Sequence, residues 1–180
     1  LCAGGNDVIR PGTDPDDIAD QLEGAVARLA STGAAILLFT GIDTGFTPVF
    51  RPFRGKVAIY NENVRAIADR HDCIVADQWA LKTVQDPRFF DDDRLHYNAL
   101  GHHEVARMAL RALNVPNDLQ AMQPEPLPVR TWREARAGDL GWAREHLVPW
   151  VLRRLRHQSS GDDVRAKRPE AAPVVLPPVD

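Results

Sequence analysis

Residues 34–39, Ala-Ala-Ile-Leu-Leu-Phe, are an unbroken apolar run between Gly33 and a loop containing Gly41, Gly45, Pro48 and Pro52. A strand with one solvated face alternates apolar and polar residues, whereas a strand covered on both faces does not. A short continuous run between turn residues therefore reads as a parallel strand inside an α/β sheet. Cys73-Ile74-Val75-Ala76, ending at Asp77, repeats the pattern, and Leu1-Cys2-Ala3 reads as the end of a strand broken by Gly4-Gly5. Helical segments alternate with these runs. The first starts at Asp14-Pro15-Asp16-Asp17, a capping carboxylate followed by Pro at the first helical position and acids in the first turn. It carries Ile18, Leu22, Ala25, Val26 and Leu29 at helical spacing and ends near Gly33. A second helix over 56–70 buries Val57, Tyr60, Val64, Ile67 and Ala68, and a third runs over 98–113. The order predicts an α/β fold, a parallel sheet between layers of helices, with ligands bound beyond the carboxyl ends of the strands.

That sheet domain is expected over 1–113. A Pro-punctuated connection follows over 114–130, then a helical extension over 131–157 with Trp132, Leu140, Trp142, Leu147, Trp150, Val151 and Leu155 as its apolar set. Residues 158–180, rich in proline, small residues and mixed charge, read as a disordered tail. No internal repeat is visible. A net charge of −3 argues against a nucleic-acid binder, and no apolar run reaches membrane-spanning length. Cys2 and Cys73 both fall in runs read as buried strands, so no disulfide framework is expected. No secretory signal is seen; the chain opens inside an apolar run without Met, which reads as a missing N-terminal segment.

Residues 91–103, DDDRLHYNALGHH, hold three aspartates and three histidines. A metal site is disfavoured by helix geometry: His102 and His103 diverge by about 100° on the helix, and helical metal ligands use an i, i+4 spacing. Asp91 and Asp92 read as solvated loop charges. Asp93-Arg94-Leu95-His96 has two readings. One is an acidic surface loop beside a helix-capping histidine. The other is a carboxylate that reaches Nδ1–H of His96 and leaves Nε2 free to accept a proton. Gly4-Gly5-Asn6-Asp7 likewise reads either as a plain turn or as a sharp strand-end turn that aims the Asn6 amide into the crevice as an oxyanion donor.

Together, a strand-terminal Gly4-x-Asn6-Asp7 and a later Asp93-x-x-His96 before a helix resemble the SGNH (GDSL-type) hydrolase superfamily, esterases and acylhydrolases of flavodoxin-like α/β/α architecture. AAILLFTGID, Tyr60-Asn61-Glu62-Asn63 and the strand ending at Asp77 add to the likeness, which covers about 1–113. The resemblance implies His96 as general base and acid, Asp93 as its orienting partner and Asn6 as an oxyanion donor. Gly4 and Tyr97 would line the substrate cleft, Gly4 by shaping the turn. Tyr97 stands where many members have Pro. No metal or cofactor is implied, and the partner is a small-molecule ester. Two earlier blocks of the family are not found: a Gly-Asp-Ser segment carrying the nucleophile, and a glycine oxyanion donor. Ser31, Ser159 and Ser160 are the only serines. Ser31 lies at the wrong edge of the sheet. The first strands of the fold are expected in the missing segment.

The resemblance therefore implies a serine ester hydrolase with its serine upstream of Leu1. The alternative is an inactive fragment or non-catalytic binding module of the same fold. For the C-terminal helix, Arg144, Arg153, Arg154 and Arg156 beside Trp142, Trp150 and Leu155 suit either docking on the domain or an anionic surface.

Overall fold

The computed structural model describes residues 1–156, 158, 164–166, 169–170 and 172–173. The chain forms two compact units, Leu1–Thr131 and a second from Trp132 onward.

The first unit opens with the short helix α1 (Gly5–Val8) and then α2 (Pro15–Ala30). As expected, Pro15 takes the first position of α2, and the Asp14 carboxylate accepts the Asp16 N–H at 2.9 Å. The strand β1 (Leu37–Phe39) follows, then α3 (Arg54–Arg70), the strand β2 (Ile74–Ala76) and α4 (Ala99–Ala112). β1 and β2 are parallel, with Leu37 opposite Ile74 and Phe39 opposite Ala76. Asn98 caps α4, its side-chain oxygen accepting the Gly101 N–H at 3.1 Å.

Two expectations about the sheet need correction. Leu1–Ala3 is not a regular strand. Its pairing rests on two bonds at the edge of β1, from the Leu1 nitrogen to the Leu37 carbonyl at 2.6 Å and from the Phe39 N–H to the Leu1 carbonyl at 3.1 Å. Cys2 is consequently exposed rather than buried, because the segment is bonded on one side only. β1 is also shorter than the apolar run, and Ala34 and Ala35 are exposed. Within it Leu38 is buried while Leu37 and Phe39 are half-buried, so the two faces are unequally covered. α2 and α3 pack on each other and bury Ile18, Leu22, Val26, Leu38, Val57, Val64 and Ile67 in one core, whereas α4 packs against β2.

The register places Ala3, Thr40 and Asp77 at the same carboxyl end of the sheet. Buried side chains hold the loops there. Asn61, on the apolar face of α3, accepts the Gly41 N–H at 2.7 Å and donates to the Gly41 carbonyl at 2.9 Å. Asp43 is buried, takes a fork from Arg54 at 2.6 and 3.1 Å and accepts from Lys82 at 3.1 Å. The Arg54 guanidinium also lies over the Trp79 ring.

The Arg54 hydrogen bonds hold the Asp43 carboxyl well below the usual carboxylate range, with Gly45 N–H and Lys82 assisting against the opposing effect of burial. A depressed carboxyl adds stability that is present above its unfolded value near ~4 and is lost as pH falls through the folded value. Asp43→Asn is therefore expected to cost about 2 kcal/mol in urea unfolding at pH 7. The gap from the native chain should narrow at pH 3, and an unchanged gap would show that the charge of Asp43 is not what stabilises the loop.

The second unit comprises α5 (Trp132–Trp142), a wide π-type turn over Ala143–Leu147, and α6 (Val148–Leu155). The helix loosens just before Pro149, which lacks the N–H that regular continuation needs. The extension expected over 131–157, read as one or two helices, is described as two helices through 155; His157 lies outside the described residues, as does most of 158–180. No described helix is long and apolar enough to cross a membrane.

Candidate active site

Gly4 turns the chain out of the sheet. Its φ of 81° lies in the left-handed region, and a Cβ there would sit 2.3 Å from the Tyr60 hydroxyl oxygen. Tyr60 fills the space that a side chain would take and donates to the Ala3 carbonyl at 3.0 Å, and burial pushes its phenol up to about 12. Asn6 follows in α1 and is exposed, just past the segment that pairs with β1.

The Asp93–His96 segment is a loop closed by an antiparallel bridge between Phe90 and Tyr97. The Asp91 N–H donates to the His96 carbonyl at 2.8 Å, and the Asn98 N–H donates to the Phe89 carbonyl at 3.1 Å. Arg94 takes a φ of 57°, a left-handed turn that lets the chain double back on the Asp93 side chain. One carboxylate oxygen of Asp93 then accepts both the Leu95 and His96 N–H groups at 2.9 Å. The other lies 2.5 Å from His96 Nδ1. Burial opposes ionisation of Asp93, but the His96 ring and the two backbone N–H groups outweigh it and hold its pKa below the ordinary value.

An ionised carboxylate only accepts, so a hydrogen belongs on Nδ1, and in the neutral imidazole it is Nε2 that keeps its lone pair. The His96 side chain is 75% exposed and that of Asp93 28%, so the imidazole is open to a reactant while its orienting partner is shielded. A neutral imidazole held in one tautomer in this way can take up a proton at Nε2.

The neighbouring candidates go elsewhere. Asp91 and Asp92 are exposed, and Asp91 caps the Asp92 N–H. The His102 ring meets Tyr97 edge-on at 6.0 Å, and His103 donates to the Gln120 carbonyl at 2.8 Å. Tyr97 stacks obliquely on Phe90, and its hydroxyl donates to Gln78 at 3.3 Å, so its polar end is directed to the sheet.

Six polar residues are buried among the described residues, Thr40, Asp43, Thr44, Asn61, Gln78 and Glu104. The sequence assigns none of them an interior role, and Thr40, Asp43 and Asn61 figure only within the stretches that carry the family likeness. Asn61 and Glu104 had a usable signal, since each occupies a buried-face position of its helix, and Glu104 is buried against Arg107 with contacts at 2.7 and 2.9 Å. Gln78 follows the strand-ending Asp77, and its partners are 19, 38 and 76 residues away, beyond any local pattern.

A parallel sheet packed by helices, with an Asp–His pair on the loop before α4 and a Gly-x-Asn-Asp turn after the segment that pairs with β1, defines an α/β protein. Residues 1–104 match the GDSL-like lipase/acylhydrolase family, and the chain belongs to that family, within the SGNH hydrolase superfamily. Among solved structures it is similar to LAE5, an alpha/beta hydrolase enzyme from the metagenome of Lake Arreo, Spain, with 28% identity and a TM-score of 0.55. The match covers 65% of this chain and 59% of LAE5, so the chain spans less than two thirds of that enzyme's length. No curated protein matches the chain.

Proposed function

We propose that this chain contributes the general base, its orienting carboxylate and one oxyanion donor to a serine ester hydrolase whose nucleophile lies outside these 180 residues. The observation that carries the reading is the 2.5 Å pairing of Asp93 with His96 Nδ1 on a solvent-open imidazole. The nucleophilic serine loses its proton to His96 Nε2 as it attacks the ester carbonyl. The Asn6 amide, together with backbone N–H groups, offsets charge on the tetrahedral oxyanion. His96 then protonates the leaving alcohol, and water releases the acid by the same steps in reverse order.

Supporting the position of the nucleophile, Ser31 ends α2 with its hydroxyl donated to the Arg28 carbonyl at 2.7 Å, two residues before Gly33 and ahead of β1. That is the amino end of the strand, opposite to Asn6. Ser159 and Ser160 lie outside the described residues. LAE5, being longer and an alpha/beta hydrolase, is consistent with a larger catalytic unit. Gly4 shapes the turn that presents Asn6, and the Tyr97 ring borders the His96 side of the cleft.

The test is turnover of short-chain p-nitrophenyl esters by the complete gene product, native and with His96→Ala. Unchanged turnover in the variant would remove His96 from the mechanism. A complete product that carries no added serine block and shows no turnover would favour a non-catalytic binding module of the same fold.

A further inference from the structure

Gln78 is buried at the carboxyl end of β2 and touches three separate parts of the first unit. Its side-chain N–H donates to the Thr40 carbonyl at 3.2 Å, just past β1, and lies 3.9 Å from Cys2 Sγ in the segment leading to Asn6. Its side-chain oxygen accepts the Tyr97 hydroxyl at 3.3 Å. Tyr97 directly follows His96 and forms the bridge that closes the Asp93–His96 loop.

We propose that Gln78 is a positioning residue, a latch that fixes the His96 loop relative to the segment carrying Asn6 by clamping Tyr97, Thr40 and Cys2 at once. This rests on the reading of His96 as the base and adds to it how the base is held.

The chemistry suits the task. A primary amide donates and accepts simultaneously, so one buried side chain serves a carbonyl on one element and a hydroxyl on another. A carboxylate would lack the donor for Thr40, and an aliphatic residue would leave the Thr40 carbonyl without this bond and the Tyr97 hydroxyl without an acceptor. Tyr97 is built for the same purpose. Burial pushes its phenol well above the ordinary value, so it remains a proton donor at every working pH. Its ring is confined by Phe90 on one side and by Gly101 on the other, where a Cβ would fall 2.8 Å from Tyr97 Cβ and 2.4 Å from the Phe89 carbonyl. Tyr, where a Pro would stiffen the turn through its ring, stiffens it here through a hydrogen bond across to the sheet.

The experiment uses the full 180-residue chain and needs no catalysis. Proton NMR reads the exchange with water of the His96 Nδ1 proton, assigned by its disappearance in Asp93→Asn. Tyr97→Phe keeps the ring and removes only the hydroxyl, and Gln78→Leu removes the acceptor. Tyr97→Phe is expected to speed exchange about fivefold, the factor that one ordinary hydrogen bond supplies, and Gln78→Leu, which also loses the Thr40 and Cys2 contacts, by at least as much. The double variant should be no faster than Gln78→Leu, which already breaks the Tyr97 bond. Unchanged exchange in a folded Tyr97→Phe chain overturns the latch, and so does a double variant that multiplies the two effects. Should Gln78→Leu not fold, Tyr97→Phe decides alone. Because the readout is proton exchange, it is independent of ester turnover, and a failure of the hydrolase reading would be seen in the activity assay instead.

Discussion

His96→Ala in the complete gene product is expected to lower kcat for ester hydrolysis by about a millionfold, and Asp93→Asn by about 10⁴-fold, with little change in KM. Loss of the imidazole removes the proton acceptor on which attack by a neutral serine depends. The Asp93→Asn effect has a different origin. The oxygen of the substituted amide would still accept the Leu95 and His96 N–H groups, which now converge at 2.9 Å on one carboxylate oxygen, so the loop should keep its shape. The amide nitrogen would however replace the oxygen now 2.5 Å from Nδ1. A donor in that place forces the histidine hydrogen onto Nε2, the atom that must receive the serine proton. Circular dichroism should therefore be unchanged while turnover collapses. A drop of less than about tenfold in Asp93→Asn would mean that the pair does not set the tautomer.

Gly4→Ala is expected to destabilise the fold by about 3 kcal/mol and to lower the melting temperature by about 10 °C. Two costs combine. An L residue at a φ of 81° is strained by about 1 kcal/mol. The new methyl would also overlap the Tyr60 ring end, 2.3 Å from its oxygen and 2.7 Å from Cζ, with Ile18 at 3.1 Å behind. Tyr60 is pinned inside the core formed by α2 and α3, so it yields only by breaking its bond to Ala3. Gly5→Ala provides the contrast: nothing lies within 4 Å of its Cβ position and its φ is ordinary, so stability should hold within about 0.5 kcal/mol. Equal losses at Gly4 and Gly5 would show that the turn geometry is not what demands glycine.

Local signals in the sequence carried far. The Asp14-Pro15 start of α2, the Asn98 start of α4 and the buried set on α3 were legible because caps and helical spacing depend on residues three or four positions apart. The Asp93–His96 pair was legible for the same reason, as a contact of separation three. Strand extents were not, since they depend on which neighbour is present. Ala34 and Ala35 belong to the same unbroken apolar run as Leu37, yet β2 pairs only with 37–39. Cys2 looked interior from its apolar neighbours, but its segment is bonded along one edge only. The Gln78 network escaped because each of its contacts is long-range and none of its residues is unusual by type.

The central claim is that His96 serves a serine that these 180 residues do not supply. Labelling the complete gene product with a fluorophosphonate, followed by peptide mass mapping, tests it most directly. The serine oxygen would bond to phosphorus as fluoride leaves and the proton passes to His96. One adduct is expected, on a serine upstream of Leu1, and it should be lost in His96→Ala. An adduct on Ser31, or one that forms equally fast without His96, would contradict that claim.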